Sequence, residues 1–332
     1  MGDKMKREIR NNVKRKQMFI VTIMVILISS VGLIGVSNVI TTKAAEREKL
    51  KIKNEKIMEL NEQIKGIYDN ENKAIEEAIN NMVKGSDNYG VYYEDLISGQ
   101  AIAYNENKYF TAASTIKVAL VMNVADTIQR GELKGTDTVL YTSEEYEGGT
   151  GILQDYVVAD KTEVEVSKLM ELAITYSDNI ATQMLKKTCE PICSYVLKIT
   201  GEPRNDEINN LTAKQQGIIL KRLYDNPDNN PLYDTIIGYM KNTIFHDRLH
   251  KYLPYEVVAH KIGSYNEYTH DTGIVYSERP YSLSVYTKSI NTEPMAKLSK
   301  AIYDLKISTD EQVKSLKEAY KNEYGIDLEE VN

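Results

Sequence analysis

The chain has 332 residues, of which 42% are hydrophobic and 27% charged, as is typical of globular domains. Its formal net charge of −7 argues against nucleic acid as a partner, and no basic stripe appears in the globular part. The two cysteines, Cys189 and Cys193, lack a CxxC spacing and further ligands, so the sequence predicts neither a redox pair nor a cysteine-bound metal.

The N-terminal segment predicts a membrane anchor. Residues 1–17 are rich in Lys and Arg, and residues 18–42 contain no charge. The apolar centre of that run has 22 residues. At about 1.5 Å per residue it would span roughly 33 Å, enough for a bilayer core of about 30 Å. We therefore expect a cytoplasmic tail, a single-pass anchor in the cell membrane and an extracytoplasmic C-terminal part.

The charged segment 43–70 predicts a helical spacer. Its apolar residues fall at heptad a and d positions, namely Leu50, Ile57, Leu60, Ile64 and Ile67. A short coiled coil with weak self-association and a solvated stalk both fit this pattern.

The globular part, predicted at 71–308, begins with a helix and then alternates in two runs around Ser98-Gly99, which is typical of a β-hairpin. Helical periodicity dominates from about 118 to 242, and strand-like runs return between 255 and 289 before a final helix. This order predicts an α/β (α+β) fold, in which an antiparallel sheet is built from both ends of the domain and flanked by the N- and C-terminal helices. An all-helical domain would be inserted at 118–242, and residues 309–332 would form a charged tail.

Three short motifs carry the chemistry. Ser114 precedes Lys117 by three residues at the start of an apolar helical run, so its hydroxyl is either a helix N-cap or a nucleophile beside an amine. Ser177-Asp178-Asn179 follows at a break between helical runs, and Lys261-Ile262-Gly263-Ser264 lies on a late strand. Each motif alone is weak, but the ordered set favours a nucleophilic Ser114.

The chain from about Ala74 to Leu305 resembles the class A β-lactamase-like serine hydrolases of the β-lactamase and penicillin-binding protein superfamily. Phe110 leading into AASTIK and the GGTGILQ loop (148–154) extend the resemblance beyond the three motifs. The resemblance implies an α/β part and an all-helical part, with the active site between them.

The resemblance also implies residue roles. Ser114 would be acylated, with Lys117 as its general base if burial lowers the lysine pKa. Ser177 would relay a proton, and Asn179 would bind the substrate amide. Lys261 would attract a substrate carboxylate beside Gly263 and Ser264, and the backbone N–H groups of Ser114 and Ser264 would form the oxyanion hole.

Two positions depart from the family pattern. Ile262 stands where the family usually has a hydroxyl residue that helps to hold the carboxylate. The loop that carries the water-activating Glu in class A β-lactamases is short here, and Glu202 and Glu207 are its only Glu residues, both interpreted as turn carboxylates. Deacylation is therefore expected to be weak.

Three functions stay open at this point. The first is a β-lactamase, the second is a D,D-peptidase-like penicillin-binding enzyme acting on peptidoglycan stem peptides, and the third is a non-catalytic membrane-anchored binding module. No cofactor is expected. His246 and His250 are four apart, but the sequence offers no obvious third ligand, so no metal site is predicted. His270-Asp271 is interpreted as a turn between strands.

Overall fold

A five-stranded antiparallel sheet forms the centre of the fold. The residues that the structure describes form the strands β1 (Tyr89–Asp95), β2 (Ala101–Tyr104), β3 (Tyr109–Thr111), β4 (Thr138–Leu140), β5 (Glu163–Glu165), β6 (Asn210–Thr212), β7 (Val258–Tyr265), β8 (Tyr268–Val275) and β9 (Tyr281–Lys288). The large sheet has the order β2-β1-β9-β8-β7. It therefore joins strands from both ends of the domain, as the sequence predicts.

This computed structural model describes residues 2–156, 162–203 and 209–326, without the side chains of 2–13, 17, 31–39 and 156. The α-helices within those ranges are α1 (Gly2–Val83), α2 (Lys117–Gln129), α3 (Leu153–Tyr156), α4 (Val166–Thr175), α5 (Asn179–Leu185), α6 (Ile192–Thr200), α7 (Ala213–Asp225), α8 (Leu232–Lys241) and α9 (Glu293–Tyr324). Short 3₁₀ turns cover Ala113–Ile116, Ser143–Glu145 and Tyr255–Val257.

Successive side chains along the strands of the large sheet point alternately into two apolar cores. In β1, Val91 and Tyr93 face a core that also contains Ile75 and Ile79 of α1 and Met295 of α9. The intervening Tyr92 packs against a second core, built largely from the helices between β3 and β7. The period of two along the strand places the terminal helices on one face of the sheet and the inserted helices on the other.

The inserted segment is not purely helical. Between 118 and 242 it also contains β4, β5 and β6. Strand β6 pairs with β3 just before the nucleophile motif, and β4 pairs with β5. Three-residue strands of this kind pair over long sequence separations and carry too little alternation to be recognised locally.

The chain divides into two compact units, Gly66–Lys314 and a second unit of Met1–Lys65 with Ser315–Asn332. In the second unit, Gln63 Nε2 donates a hydrogen bond of 2.8 Å to Tyr320 Oη. Leu60 and Ile64 are buried there, whereas Leu50 is exposed. The residues at two of the predicted heptad positions are therefore already buried within a single chain.

In the part of the chain that the structure describes, no helix contains an apolar stretch long enough to cross a membrane. The side chains of 31–39, which belong to the predicted anchor 18–42, lie outside the described ones.

Candidate active site

Ser114 lies in the 3₁₀ turn Ala113–Ile116, directly before α2. No side-chain oxygen caps either this turn or α2, so the N-cap interpretation of Ser114 does not hold. Ala113, just before it, has a left-handed backbone with φ of 48°. Such strain in a residue with a Cβ costs roughly 1–3 kcal/mol and is common at active sites. The turn presents a half-buried Ser114 to a cleft of about 770 Å³.

Lys117 begins α2 and is 4% exposed. Its Nζ donates to the Ser177 carbonyl oxygen at 2.6 Å and to Asn179 Oδ1 at 2.7 Å. Burial lowers the lysine pKa to about 7, although the negative charges of Glu147 and Asp178 act in the opposite direction. A neutral amine has two hydrogens and one lone pair, and these two acceptors use both hydrogens. The lone pair is then free to take a proton.

Ser177 connects two lysines. Its Oγ accepts a hydrogen bond of 2.9 Å from Lys261 Nζ and lies 3.4 Å from Lys117 Nζ. The residue is 1% exposed and has φ of 53°, a left-handed conformation that is unfavourable for serine. This backbone turns the Ser177 carbonyl and hydroxyl oxygens toward the same amine.

Lys261 on β7 has no exposed surface. Its Nζ donates to Ser177 Oγ and, at 3.0 Å, to the Ile262 carbonyl oxygen. Burial, followed by the positive charge of Lys117, holds the pKa of Lys261 well below its usual range, and Asp271 raises it. Two buried amines therefore share one hydroxyl, and the positive charge of Lys117 disfavours the charged form of Lys261.

Asp178 fixes the loop over the site. It caps α5 through a 2.9 Å bond from Ala181 N, and its second oxygen accepts from Ile152 N and Leu153 N at 2.7 and 2.8 Å. Gly151 approaches so closely that a Cβ at this position would overlap Asp178 Oδ2. A carboxylate that accepts three backbone N–H bonds holds this loop firmly.

Asn179 lies between the loop and Lys117. Its Oδ1 accepts from Lys117, and its Nδ2 donates to the Gly148 carbonyl oxygen at 2.9 Å. Thr150 also donates to the Ser177 carbonyl oxygen at 2.8 Å. The amide of Asn179 is thereby oriented, with its oxygen toward the amine.

The glycine of the third motif allows β7 to approach the nucleophile turn. A Cβ on Gly263 would lie 2.8 Å from the Ala112 carbonyl oxygen. The next residue, Ser264, lines the cleft together with Ser114. The structure thus brings the two residues of the predicted oxyanion hole to one cleft.

Arg248 contacts the cleft residue Ser264, and the sequence did not predict it. Its Nη2 donates to Ser264 Oγ at 2.6 Å, and its Nη1 donates to the carbonyl oxygens of Gly263 and His270 at 2.9 and 2.6 Å. The side chain is 6% exposed, so its permanent charge lies in a poorly hydrated place. Ile262 is also buried and does not line the cleft. No motif marks Arg248, because it lies on an irregular segment and meets Ser264 only in the folded chain.

Among the described residues that line the cleft, Glu147 is the one carboxylate. Its side chain is exposed and accepts a hydrogen bond from Gln183. Glu202 forms a 2.7 Å ion pair with Lys214 outside the cleft, and Glu207 lies outside the described residues. The sequence analysis did not identify Glu147 either. This residue lies directly before Gly148 and belongs to no recognisable motif.

The remaining candidates lie elsewhere. Cys189 and Cys193 are free thiols. His270 and Asp271 belong to β8, so their interpretation as a turn was wrong. The turn lies between β7 and β8, where Asn266 has φ of 50°, a conformation that Asn tolerates better than most residues.

Comparison with known proteins agrees with this geometry. The Beta-lactamase enzyme family matches residues 73–305. Curated relatives include Beta-lactamase ROB-1 of Haemophilus influenzae and of Mannheimia haemolytica, each 31% identical over 115 residues. These matches cover 34% of this chain and 36% of each relative, so the chain spans about a third of the length of the curated relatives it matches.

Solved structures share the fold at low identity. PBP-A is 19% identical with a TM-score of 0.63, over 69% of this chain and 94% of that chain. An ancestral (GNCA) class A β-lactamase is 20% identical with a TM-score of 0.61, over 69% and 99%. A point mutant of PBP-A, solved as an acyl-enzyme complex with penicillin G, is 20% identical with a TM-score of 0.63, over 69% and 95%. At these identities the likeness concerns the fold.

The family match covers most of the chain and includes all three motifs around the cleft. The chain therefore belongs to the β-lactamase enzyme family.

Proposed function

We propose that this chain is an active-site serine hydrolase that β-lactams acylate at Ser114. The observation that carries the proposal is the buried Lys117 amine, whose pKa of about 7 leaves a substantial neutral fraction at neutral pH. It lines the same cleft as Ser114. A serine hydroxyl is a weak nucleophile until a base removes its proton, and a neutral lysine amine is such a base.

Acylation then follows from the positions of these groups. Lys117 takes the proton of Ser114 as Oγ bonds to the substrate carbonyl carbon, and the resulting oxyanion binds the backbone N–H groups of Ser114 and Ser264. The C–N bond breaks as Ser177 gives its hydroxyl proton to the leaving nitrogen. A proton from the lysine pair restores Ser177, since its Oγ lies 2.9 Å from Lys261 Nζ and 3.4 Å from Lys117 Nζ. The net change is transfer of one proton from Ser114 to the leaving nitrogen.

The carboxylate of the substrate would bind at the Ser264 end of the cleft. Arg248 supplies a permanent positive charge there, next to the Ser264 hydroxyl. Lys261 adds a second amine, whose protonated form a bound carboxylate would favour. Arg248 thereby compensates for the hydroxyl that Ile262 lacks.

Release of the acyl group requires a base that activates water. Glu147 is the one carboxylate among the described cleft residues, and its side chain is exposed to solvent and hydrogen-bonded to Gln183. A missing general base costs about 10²–10⁴ in the step it serves. We therefore propose slow deacylation, which supports a D,D-peptidase-like penicillin-binding enzyme as the second candidate function. The penicillin G acyl-enzyme formed by the PBP-A mutant, a fold relative, is consistent with both candidates.

The experiment compares wild type with Ser114→Ala for penicillin hydrolysis and for D-Ala release from a peptide ending in D-Ala-D-Ala. Ser308→Ala, an exposed serine on α9, is the matched control. We expect Ser114→Ala to lose about 10³-fold or more of whichever activity is present, because the nucleophile itself is removed. Wild-type hydrolysis of penicillin alone supports a β-lactamase, and D-Ala release supports the peptidase. If wild type has neither activity and forms no penicillin adduct, the binding-module alternative replaces both.

The location of the enzyme is a separate proposal that rests on the composition of residues 18–42. We propose that this segment anchors the chain, with the hydrolase domain extracytoplasmic and residues 43–70 acting as a spacer or a weak self-association segment. The topology is tested with a C-terminal reporter that works only in the cytoplasm. Activity of that reporter would contradict an extracytoplasmic hydrolase domain. Analytical ultracentrifugation of the full-length chain in detergent tests the self-association.

A further inference from the structure

Three of the four histidines of the chain lie together. One ring nitrogen from each of His246, His250 and His260 lies within 4.8 Å of the other two. In the sequence the first two stand four residues apart, without an obvious third ligand. His260 lies on β7, ten residues after His250, and the folded chain brings it to the other two as a third candidate ligand.

His260 presents an unused lone pair. Its Nδ1 lies 2.9 Å from Asp271 Oδ2 and 3.0 Å from Oδ1. A carboxylate accepts hydrogen bonds, so Nδ1 carries a proton and the lone pair of the neutral imidazole lies on Nε2. Within the described residues Nε2 has no hydrogen-bond partner, although the side chain is 1% exposed. A buried polar atom without a partner is costly, and a bound cation would satisfy it.

His250 is oriented in the same way. Its Nε2 lies 3.2 Å from the Tyr255 carbonyl oxygen, which accepts the Nε2 proton. Its Nδ1 is therefore the atom with a lone pair, and it points at His246 Nδ1, 2.8 Å away. His246 is exposed, so its ring can turn to offer a nitrogen as a ligand.

These contacts are those that orient metal-binding histidines. A ligating imidazole usually donates its other N–H to a carboxylate or a backbone carbonyl, which fixes the tautomer and the ring. Asp271 does this for His260, and Tyr255 does it for His250. Asp271 is itself held by the backbone N–H groups of Leu249 and Thr272 at 3.0 and 2.8 Å.

The distances fit a tetrahedral ion after a small adjustment. Zinc binds histidine nitrogen at about 2.0–2.1 Å, which separates two ligand atoms by about 3.3 Å. One nitrogen of each histidine lies within 4.8 Å of the other two, and the Nδ1 atoms of His246 and His250 are hydrogen-bonded at 2.8 Å. The exposed side chain of His246 leaves its ring room to adjust toward this geometry.

We propose that His246, His250 and His260 bind one divalent transition-metal ion, best matched by zinc, with a fourth position open to water. Three imidazoles with satisfied outer hydrogen bonds are suited to zinc, copper, nickel or iron rather than to magnesium or calcium. The proposed metal site does not require the proposed hydrolase chemistry, although Asp271 also raises the pKa of Lys261. The proposed ligands are close in sequence to a residue of the hydrolase site, since Arg248 stands between His246 and His250.

The test is titration of the full-length chain with Co²⁺ and Zn²⁺. Cys189 and Cys193 are replaced by serine in every sample, which removes thiol ligands. We expect one Co²⁺ per chain with the visible absorption of a four-coordinate site, displaced by one equivalent of Zn²⁺. Zn²⁺ should also raise Tm, because the three ligands come together only in the folded chain. His246→Gln and His260→Gln should each weaken binding by about 10-fold or more, and Asp271→Asn by about 10–100-fold.

Asp247→Asn is the matched control, since Asp247 is an exposed residue of the same segment. It should bind Co²⁺ as the parent chain does. His246 is also exposed, so His246→Gln should fold normally and keep the measurement decisive even if the buried substitutions unfold the chain. Absence of binding in the parent chain, or equal binding in His246→Gln, would overturn the proposal.

Discussion

Lys261 donates a hydrogen bond of 2.9 Å to Ser177 Oγ, and the same oxygen lies 3.4 Å from the amine of Lys117. Burial lowers the pKa of both lysines, and the charge of Lys117 lowers that of Lys261 further. A hydroxyl held between the two amines can pass a proton in either direction.

The rate of acylation should therefore rise with pH and level off just above neutrality. The pKa of Lys117 is lowered to about 7, and only the neutral amine accepts the Ser114 proton. Below that pH the rate should fall by about tenfold per pH unit. Stopped-flow measurement of penicillin acylation from about pH 5.5 to about pH 9.5 brackets this pKa and provides the profile. A rate that keeps rising steeply through the alkaline end of that range would mean that Lys117 titrates like an exposed lysine.

Glu147→Gln should move that profile to lower pH. The negative charge of Glu147 raises the pKa of Lys117 against the larger effect of burial, so its removal makes the ammonium less favourable. Because Glu147 is exposed, solvent screens the interaction and the shift should be a few tenths of a pH unit. Glu144→Gln, an exposed acid of the same segment, should leave the profile unchanged. A shift to higher pH would contradict the assignment of the titrating group to Lys117.

Asp178→Asn should destabilise the domain by about 2–4 kcal/mol, measured by urea denaturation. The buried carboxylate accepts from Ala181 N with one oxygen and from Ile152 N and Leu153 N with the other. An amide offers one oxygen, so an NH₂ group would face backbone N–H donors. Asp155→Asn, on the exposed start of α3, should change stability by less than about 0.5 kcal/mol. Equal stabilities of the two variants would contradict this role of Asp178.

Arg248→Lys should raise KM for penicillin by about tenfold or more with little change in kcat, because lysine cannot reproduce the fork that contacts Ser264, Gly263 and His270. The effect should be small for penicillin methyl ester, which has no free carboxylate. Arg222→Lys, at an arginine that pairs with Asp228 away from the cleft, is the control. An equal loss for the acid and the ester would assign Arg248 a structural role instead.

The sequence predicts well whatever depends on local pattern. The hairpin around Ser98-Gly99 and the late strands appear as expected, because alternation with a period of two is readable over a few residues. The three motifs also predict which residues meet. Each combines reactive residue types with a recognisable local setting, namely the start of a helix, a break between two helices or a strand.

What the sequence does not predict depends on contacts between distant segments. Glu147 lines the cleft and Arg248 contacts the cleft residue Ser264, both from loops with no motif. His260 lies near His246 only because β7 places it there in the folded chain. The lysine pKa values depend on burial, which composition does not reveal. The shortened deacylation loop stays a prediction, since residues 204–208 lie outside the described part.

The nucleophile is tested most directly by intact-mass spectrometry of the full-length chain mixed with benzylpenicillin, sampled from seconds to hours beside Ser114→Ala. We expect one penicilloyl group on wild type alone, located on Ser114 by peptide mapping and persisting for hours. The same adduct on Ser114→Ala, or neither adduct nor hydrolysis on wild type, would contradict the nucleophile. An adduct that disappears while hydrolysed penicillin accumulates would contradict slow deacylation and show a true β-lactamase.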